Sequence, residues 1–324
     1  MKKIVLIYMG GTFGCVGEPL SPMPAAQFLP HLQQVLPPEL AIECLIAPSI
    51  KDSSACTPRD WLALIQQIQT LQLQGYQHFV IIHGTDTLSY AAALLARFLG
   101  QSAHVVMTGS QYPLLNVQAN DLRQFSDALD NLNSALYAVL KYPSGVYVTF
   151  HHHVLHAQTV LKQHSTELDA FAGLAATEDF DSDDHSYVVS ESDFARADDF
   201  RCLNLMWQPL NLQQHVKHLQ QLLQDPPHVL ILQGFGIGNL HADAALIDAL
   251  NDLYSAGCLT LLTSQVPFGR LDQRYAVSAW TTDAKILSSD CAGHADLYAK
   301  ALKIYLQYPT VDERRAHWQQ SFNS

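Results

Sequence analysis

The stretch VIIHGTDTLSYAAALLA, residues 80–96, changes its hydrophobic period in mid-course. Val80 to Ile82 end a continuous apolar run that starts at Phe79, the pattern of a strand buried on both faces. Leu88 to Phe98 then read as an apolar helix. Only the turn HGTDT, His83 to Thr87, separates them. It puts a hydroxyl and a carboxylate, Thr85 and Asp86, where a strand passes into a helix. Strand, short turn and helix in this order are the unit of an α/β fold built on a parallel sheet.

The same alternation runs outward in both directions. KKIVLIYM at the N-terminus reads as a strand. TPRDWLALIQQIQTLQLQ reads as a helix, with Thr57 at the N-cap, Pro58 in the first turn and Asp60 three residues after the cap. AHVVM and GVYVTF are further strands, with a helix expected around 119–138 between them. HVLILQ and CLTLLTS continue the pattern, with helices expected at about 241–254 and 295–307. The rhythm breaks at 178–201. From Glu178 to Asp199 there are nine acidic residues and one Arg, a net −8 out of −12 for the whole chain. A charge run of this kind reads as a solvated connection between domains. The expected architecture is α/β. A larger N-terminal domain, with a parallel or mixed sheet flanked by helices, spans 1–178. An acidic linker covers 179–208, and a smaller α/β domain covers 209–324.

Composition excludes several classes. The 324 residues are 48% hydrophobic and 15% charged, which suits a globular protein with a sizeable core. The net charge of −12, with no Lys/Arg cluster, opposes nucleic-acid binding. No apolar run approaches transmembrane length, and MKKIVLIYMGG is too short in its apolar part for a secretion signal. Six scattered Cys without a CxxC suit free thiols in a reducing cytoplasm.

In open α/β sheets, ligands collect at the carboxyl ends of the strands. There the sequence sets GGTFG (10–14), KDSSACTP (51–58), HGTDT (83–87) and TGSQYP (108–113). Small residues, hydroxyls and a turn Asp recur in them. Gly10 and Gly11 open backbone N–H groups to a ligand. The start of the Leu88 helix favours negative charge. Thr12 and Thr85 are candidate nucleophiles or water activators, Asp86 suits an ammonium group, Ser53 and Ser54 supply polar donors for a carboxylate, and Asp52 beside them is a further candidate substrate contact. Together these describe a pocket for a small zwitterion whose carbonyl is attacked.

Rival readings are weaker. The segment after GGTFG, CVGEPLSPMP, carries three Pro and reads as a loop or lid rather than the helix a dinucleotide fingerprint requires. GFGIGN at 234–239 breaks the GxGxxG spacing at Asn239. The cluster His151, His152, His153 and His156 lacks a nearby Cys or Glu, and adjacent strand residues face opposite ways. No metal and no cofactor is expected. No GxSxG elbow is present.

Taken together, YMGGTFG, KDSSACTPRDW, HGTDTLSYAAALL, TGSQYP and HAQTVLKQHSTELDAF resemble the bacterial L-asparaginase family, in particular its cytoplasmic type I branch. The resemblance runs in order through residues 1–173 and more weakly beyond. It implies hydrolysis of the side-chain amide of L-asparagine to L-aspartate and ammonia without metal or cofactor. Thr12 resembles the family's first catalytic threonine, usually assigned as nucleophile. Thr85, Asp86 and Lys162 resemble the second threonine, its aspartate and the catalytic lysine. Ser53 and Asp86 match the groups that grip the substrate's α-carboxylate and α-amine. Backbone N–H groups at Gly11 and Thr85 would hold the oxyanion. The resemblance also implies a homodimer or homotetramer with shared sites, in which Asn239 and Asp296 come from the partner subunit.

One departure stands out. The family carries a tyrosine on the loop after the first threonine that helps activate it, and residues 13–30 contain no Tyr. Slower turnover, help from a distant tyrosine such as Tyr275, and base work by a Thr85–Lys162 pair are the alternatives. Lys162 must be neutral to act as a base. Burial favours that and a neighbouring Asp86 carboxylate opposes it, so a purely orienting role is equally open. Minor glutaminase activity is compatible with the motifs, since one methylene discriminates only modestly. Two other readings compete: a regulatory protein that binds asparagine or aspartate with little or no turnover, and an amidotransferase subunit. The family's amidotransferases carry an extra N-terminal domain, and the acidic balance of this chain opposes tRNA.

Overall fold

The structure, a computed structural model, describes residues 2–180, 185–267, 280–289 and 291–320. The chain divides into two units, Met1–Phe194 and Ala195–Ser324.

The first unit opens with β1 (Lys3–Tyr8), the two-residue strands β2 (Cys15–Val16) and β3 (Ser21–Pro22), α1 (Ala25–Gln34) and β4 (Ala41–Ile46). Then come α2 (Pro58–Leu73), β5 (His78–Ile82), α3 (Leu88–Leu99), β6 (His104–Thr108), α4 (Ala128–Lys141) and β7 (Gly145–Phe150). β8 (His153–His156), β9 (Leu161–Lys162) and β10 (Phe171–Ala172) complete its strands. Six strands form one sheet in the order β4-β1-β5-β6-β7-β8. All neighbours are parallel except β7 and β8. The all-apolar reading of β1 and β5 follows from this, because central parallel strands are covered on both faces. Ile4, Leu6, Tyr8, Val80 and Ile82 pack with Phe28 and Leu32 of α1 and with Leu132, Ala135 and Leu136 of α4. Val5, Ile7, Phe79 and Ile81 alternate to the opposite face and are equally buried.

α2 starts as its sequence dictates. Thr57 and Asp60 form a reciprocal capping box, and Pro58 occupies the first turn. Losing the Thr57 hydroxyl would cost about 1 kcal/mol. The helix expected around 119–138 begins later, at Ala128. The reason is local. Asn116 and Asp121 turn their side chains onto nearby backbone, with Asn120 N–H donating to Asn116 Oδ1 at 3.2 Å and Leu122 N–H to Asp121 Oδ1 at 2.7 Å. Ala119 and Phe125 adopt positive φ. Such side chains compete with helical bonding and win here. The segment after GGTFG also differs from the expected loop: β2 and β3 pair in it, and α1 follows at Ala25.

The second unit carries a four-stranded parallel sheet, β11 (Cys202–Met206), β12 (Val229–Gly234), β13 (Leu259–Ser264) and β14 (Leu287–Ser288), in that order. α5 (Glu191–Asp199) contains the division between the units. α6 (Leu212–Leu222) and α7 (Ala244–Ser255) cover one face, where Leu219, Leu246 and Leu250 meet Leu230, Leu232 and Leu262. α8 (Trp280–Asp283) is short. On the other face, α9 (His294–Gln307) and α10 (Val311–Gln320) set Leu297, Ala301, Ile304 and Trp318 against Ile231 and Leu261.

The expected linker at 179–208 is therefore partly built structure. It holds α5, with Phe194 and Ala197 buried, and β11, an edge strand of the second sheet. Its acids are not all solvated: Asp193 is buried and accepts hydrogen bonds from Ser190 N–H at 2.8 Å and Tyr187 Oη at 2.9 Å. Short apolar stretches between charges hid both elements. All six cysteines are free. No helix among the described residues is long and apolar enough to cross a membrane. Among the same residues no group of His, Cys, Asp and Glu could hold a metal ion. His151 and His152, both at positive φ, make the turn between β7 and β8.

Candidate active site

The turns singled out in the sequence meet at one edge of the first sheet. Gly11 lies so close to Gly84 that a Cβ on it would stand 2.4 Å from Gly84 Cα. A Cβ on Gly84 would stand 2.5 Å from Ser53 Oγ. A Cβ on Gly10 would touch Ile50 Cγ2 at 3.1 Å and the Lys51 carbonyl at 3.2 Å. Gly109 closes on the same place from the fourth turn, its Cβ position 2.4 Å from the His83 carbonyl and 3.4 Å from Thr85 Cγ2. Glycine is needed because backbone meets backbone, and Gly11 also sits at φ +89°. Thr12 and Thr85 each follow one of the touching glycines, so the Gly11–Gly84 contact brings both hydroxyl-bearing turns to one spot.

Thr12 opens a single 3₁₀ turn, Thr12–Gly14. Two bonds tie that turn down: Leu114 N–H donates to the Phe13 carbonyl at 3.0 Å, and Met23 N–H to the Gly14 carbonyl at 3.0 Å. Phe13 itself is fully buried. Below the turn, the Tyr8 ring packs on Phe28, with centroids 4.8 Å apart, and its Oη fills the space that a Cβ on Gly14 would need. Burial drives the Tyr8 phenol pKa well up, with the nearby Cys15 adding to the effect, so the phenol stays protonated.

Thr85 and Asp86 share one cation. Lys162 Nζ donates to Thr85 Oγ1 at 2.9 Å and to Asp86 Oδ1 at 3.0 Å. Thr85 is buried, while the Asp86 side chain is 61% exposed and that of Lys162 21%. An ion pair this open contributes about 0–1 kcal/mol to stability. Its weight is positional: it holds an amine against a buried hydroxyl. Thr87 Oγ1 donates to the Ser53 carbonyl at 2.8 Å and so ties the turn that bears Thr85 to the one that bears Ser53.

Behind the turn lies a group that the sequence motifs did not single out. His83 is fully buried. Its Nε2 accepts from Trp61 Nε1–H at 3.2 Å, which leaves Nδ1 to donate to the Gly84 carbonyl at 2.7 Å, since an indole N–H is donor only. Burial pushes its pKa down to about 4, against the pull of the Gly84 carbonyl, so the ring is neutral at ordinary pH. Only its place in the HGTDT turn could have flagged it.

The remaining expected site residues divide. Asp52 accepts from Ser54 N–H at 2.9 Å and Ser54 Oγ at 2.7 Å, and these bonds lower its pKa. The two therefore engage each other and build the turn that presents Ser53. Asn239 and Asp296 belong to the second unit. Asn239 closes a tight turn with Phe235, through bonds of 2.9 and 2.8 Å, and its buried Oδ1 has no hydrogen-bond partner among the described residues. Asp296 is buried in the first turn of α9 and accepts from Ala292 N–H at 3.2 Å. Tyr275 lies outside the described residues.

Residues 3–187 match the family described as Asparaginase, N-terminal. L-asparaginase 1 of Escherichia coli is 25% identical over 95% of this chain and 91% of its own length. One component of the glutamyl-tRNA(Gln) amidotransferase of Sulfolobus acidocaldarius is 24% identical over 96% of this chain and 72% of its own. Among solved structures, L-asparaginase I of Vibrio cholerae superposes with a TM-score of 0.75 at 22% identity, covering 99% of this chain and 98% of its own.

Proposed function

Since this chain belongs to the asparaginase family, we propose that it hydrolyses the side-chain amide of L-asparagine to L-aspartate and ammonia. The observation that carries the reading is the Lys162–Thr85–Asp86 contact set at the point where Gly11, Gly84 and Ser53 converge.

In this reading Thr12 Oγ attacks the amide carbon. The C=O electron pair moves onto oxygen, and the N–H groups of Gly11 and Thr85 receive the oxyanion. The hydroxyl proton passes to the amide nitrogen, and ammonia leaves. An ester of Thr12 remains. Water, oriented by Thr85 and Lys162, adds to the ester carbon, and aspartate departs as the proton returns to Thr12. Lys162 serves here to hold Thr85 Oγ1 in line, a role supported by their 2.9 Å contact. Asp86 stays exposed enough to receive the substrate's ammonium, and Ser53 receives its α-carboxylate.

Asn239 and Asp296 complete the site as residues of a partner subunit in a homodimer or homotetramer. A cytoplasmic location fits the six free thiols. Glutamine is a slow alternative substrate, because one extra methylene shifts selectivity by a modest factor only. Neither metal nor cofactor enters.

The test is ammonia release by the purified protein from L-asparagine and L-glutamine, with the melting temperature recorded in parallel. Release from asparagine exceeding that from glutamine supports the proposal. Stabilisation by asparagine without release would instead make the chain a binding protein, the reading to which the missing loop tyrosine points.

A further inference from the structure

Lys162 and Thr85 come from segments 77 positions apart in the chain, so something must fix their separation. Beyond Lys162 the chain turns back on itself, with Gln163 N–H donating to the Ala170 carbonyl at 2.8 Å. Lys162 pairs with Phe171 in a two-residue ladder, and residues 163–169 beyond it are exposed. In that loop a polar side chain of the TGSQ turn intervenes. Gln111 Nε2 donates to the Glu167 carbonyl at 2.9 Å and reaches the Ser165 carbonyl at 3.4 Å.

Gln111 is itself anchored. Its N–H lies 3.0 and 3.1 Å from the two carboxylate oxygens of Asp127, and Tyr112 N–H donates to the same group at 3.0 Å. Asp127 is buried and accepts a further bond from Asn131 Nδ2 at 3.0 Å. Asn131 in turn donates to the Gly109 carbonyl at 3.1 Å and accepts from His151 N–H at 2.9 Å. Gly109, two residues before Gln111, packs on His83 and Thr85. One rigid turn therefore touches Thr85 at one end and grips the Lys162 loop at the other.

We propose that Gln111 is a positioning residue that sets the Lys162–Thr85 contact, with Asp127 as its anchor. The role rests on the hydrolase reading above, in which that contact does chemical work. A carboxylate that gathers several donors fixes a turn far better than solvent would, and the turn so fixed carries the amide that reaches the carbonyls of Ser165 and Glu167.

The test uses Gln111→Met, which keeps length but cannot donate, and Gln111→Lys, which restores a donor. In Gln111→Met the expected result is a kcat for asparagine lower by about tenfold, the scale of one or two neutral hydrogen bonds. KM should stay within about twofold and amide exchange across 163–170 should quicken, while Gln111→Lys recovers part of both losses. Unchanged exchange would overturn the strap. Faster exchange with an unchanged kcat would overturn its role in positioning Lys162. Wild-type and Lys162→Met proteins run alongside separate the two levels. If wild type releases no ammonia, the hydrolase reading falls, and with it the positioning role.

Discussion

Lys162 Nζ lies 2.9 Å from Thr85 Oγ1 and 3.0 Å from Asp86 Oδ1, so a single ammonium bridges a buried hydroxyl and an exposed carboxylate. The pair is worth little to the fold, and in the proposed reaction its weight is to hold Thr85 Oγ1 in place. In the proposed reaction Lys162→Met should lower kcat by about a hundredfold or more, because Thr85 Oγ1 loses the donor that holds it in line. The change in unfolding free energy should stay within about 1 kcal/mol. Steady-state ammonia release beside urea denaturation checks both; a stability loss that tracks the activity loss would make Lys162 a structural residue.

Backbone contact at the site makes a second expectation. Gly11→Ala would force a Cβ to 2.4 Å from Gly84 Cα at φ +89°. Overpacking and left-handed strain together cost roughly 2–5 kcal/mol. Gly75→Ala is the control: φ is +93° but nothing lies within 4 Å of its Cβ position, so only about 1–2 kcal/mol of conformational strain applies. Thermal melts of the two variants should differ by several degrees, and equal melts would contradict the close approach of the two turns.

His83 ties stability to pH. Its folded pKa of about 4 lies below the ordinary histidine value of 6.5, because burial disfavours the imidazolium. The unfolded ring thus binds more protons between these values, and stability rises with pH across that window. The contribution is complete above pH 6.5 and is lost as pH falls toward 4, a total of roughly 3 kcal/mol. Denaturation of wild type and His83→Asn at pH 7.5 and 4.5 reads the difference. The variant, with no ring to titrate and with a donor kept for the Gly84 carbonyl, should lose visibly less on acidification.

The absent loop tyrosine yields a gain-of-function test. Leu20 is 47% exposed on the segment just after β2, with its side chain open to replacement. Leu20→Tyr should raise kcat for asparagine. If neither this change nor a tyrosine at neighbouring loop positions does so, activation of Thr12 in this chain does not run through the loop.

Much of this was legible in the residues. Short continuous apolar runs such as HFVII, set between turn residues, read as strands covered on both faces, and the Thr57–Asp60 capping box writes the start of α2 into four positions. The glycines of the turns foretold that backbones approach there. What escaped had weak periodicity or long-range cause. β4 and β11 are edge strands whose half-exposed residues lack a clean pattern, and acidic neighbours masked the latter. The start of α4 moved because Asn116 and Asp121 bond nearby backbone, a choice that propensity alone does not decide. Gln111 stood in a quoted motif, yet its partners lie 54 and 56 positions away, and only the folded chain brings them together.

In the proposed reaction Thr12, beside the Gly11–Gly84 contact, is the nucleophile of an asparagine hydrolase. Ammonia release from L-asparagine by wild type and by Thr12→Ala, at matched folded concentration, tests it most directly. Wild type is expected to turn over and the variant to lose about a thousandfold or more of that rate, with its melting temperature little changed. A variant that keeps activity within about tenfold of wild type would contradict it.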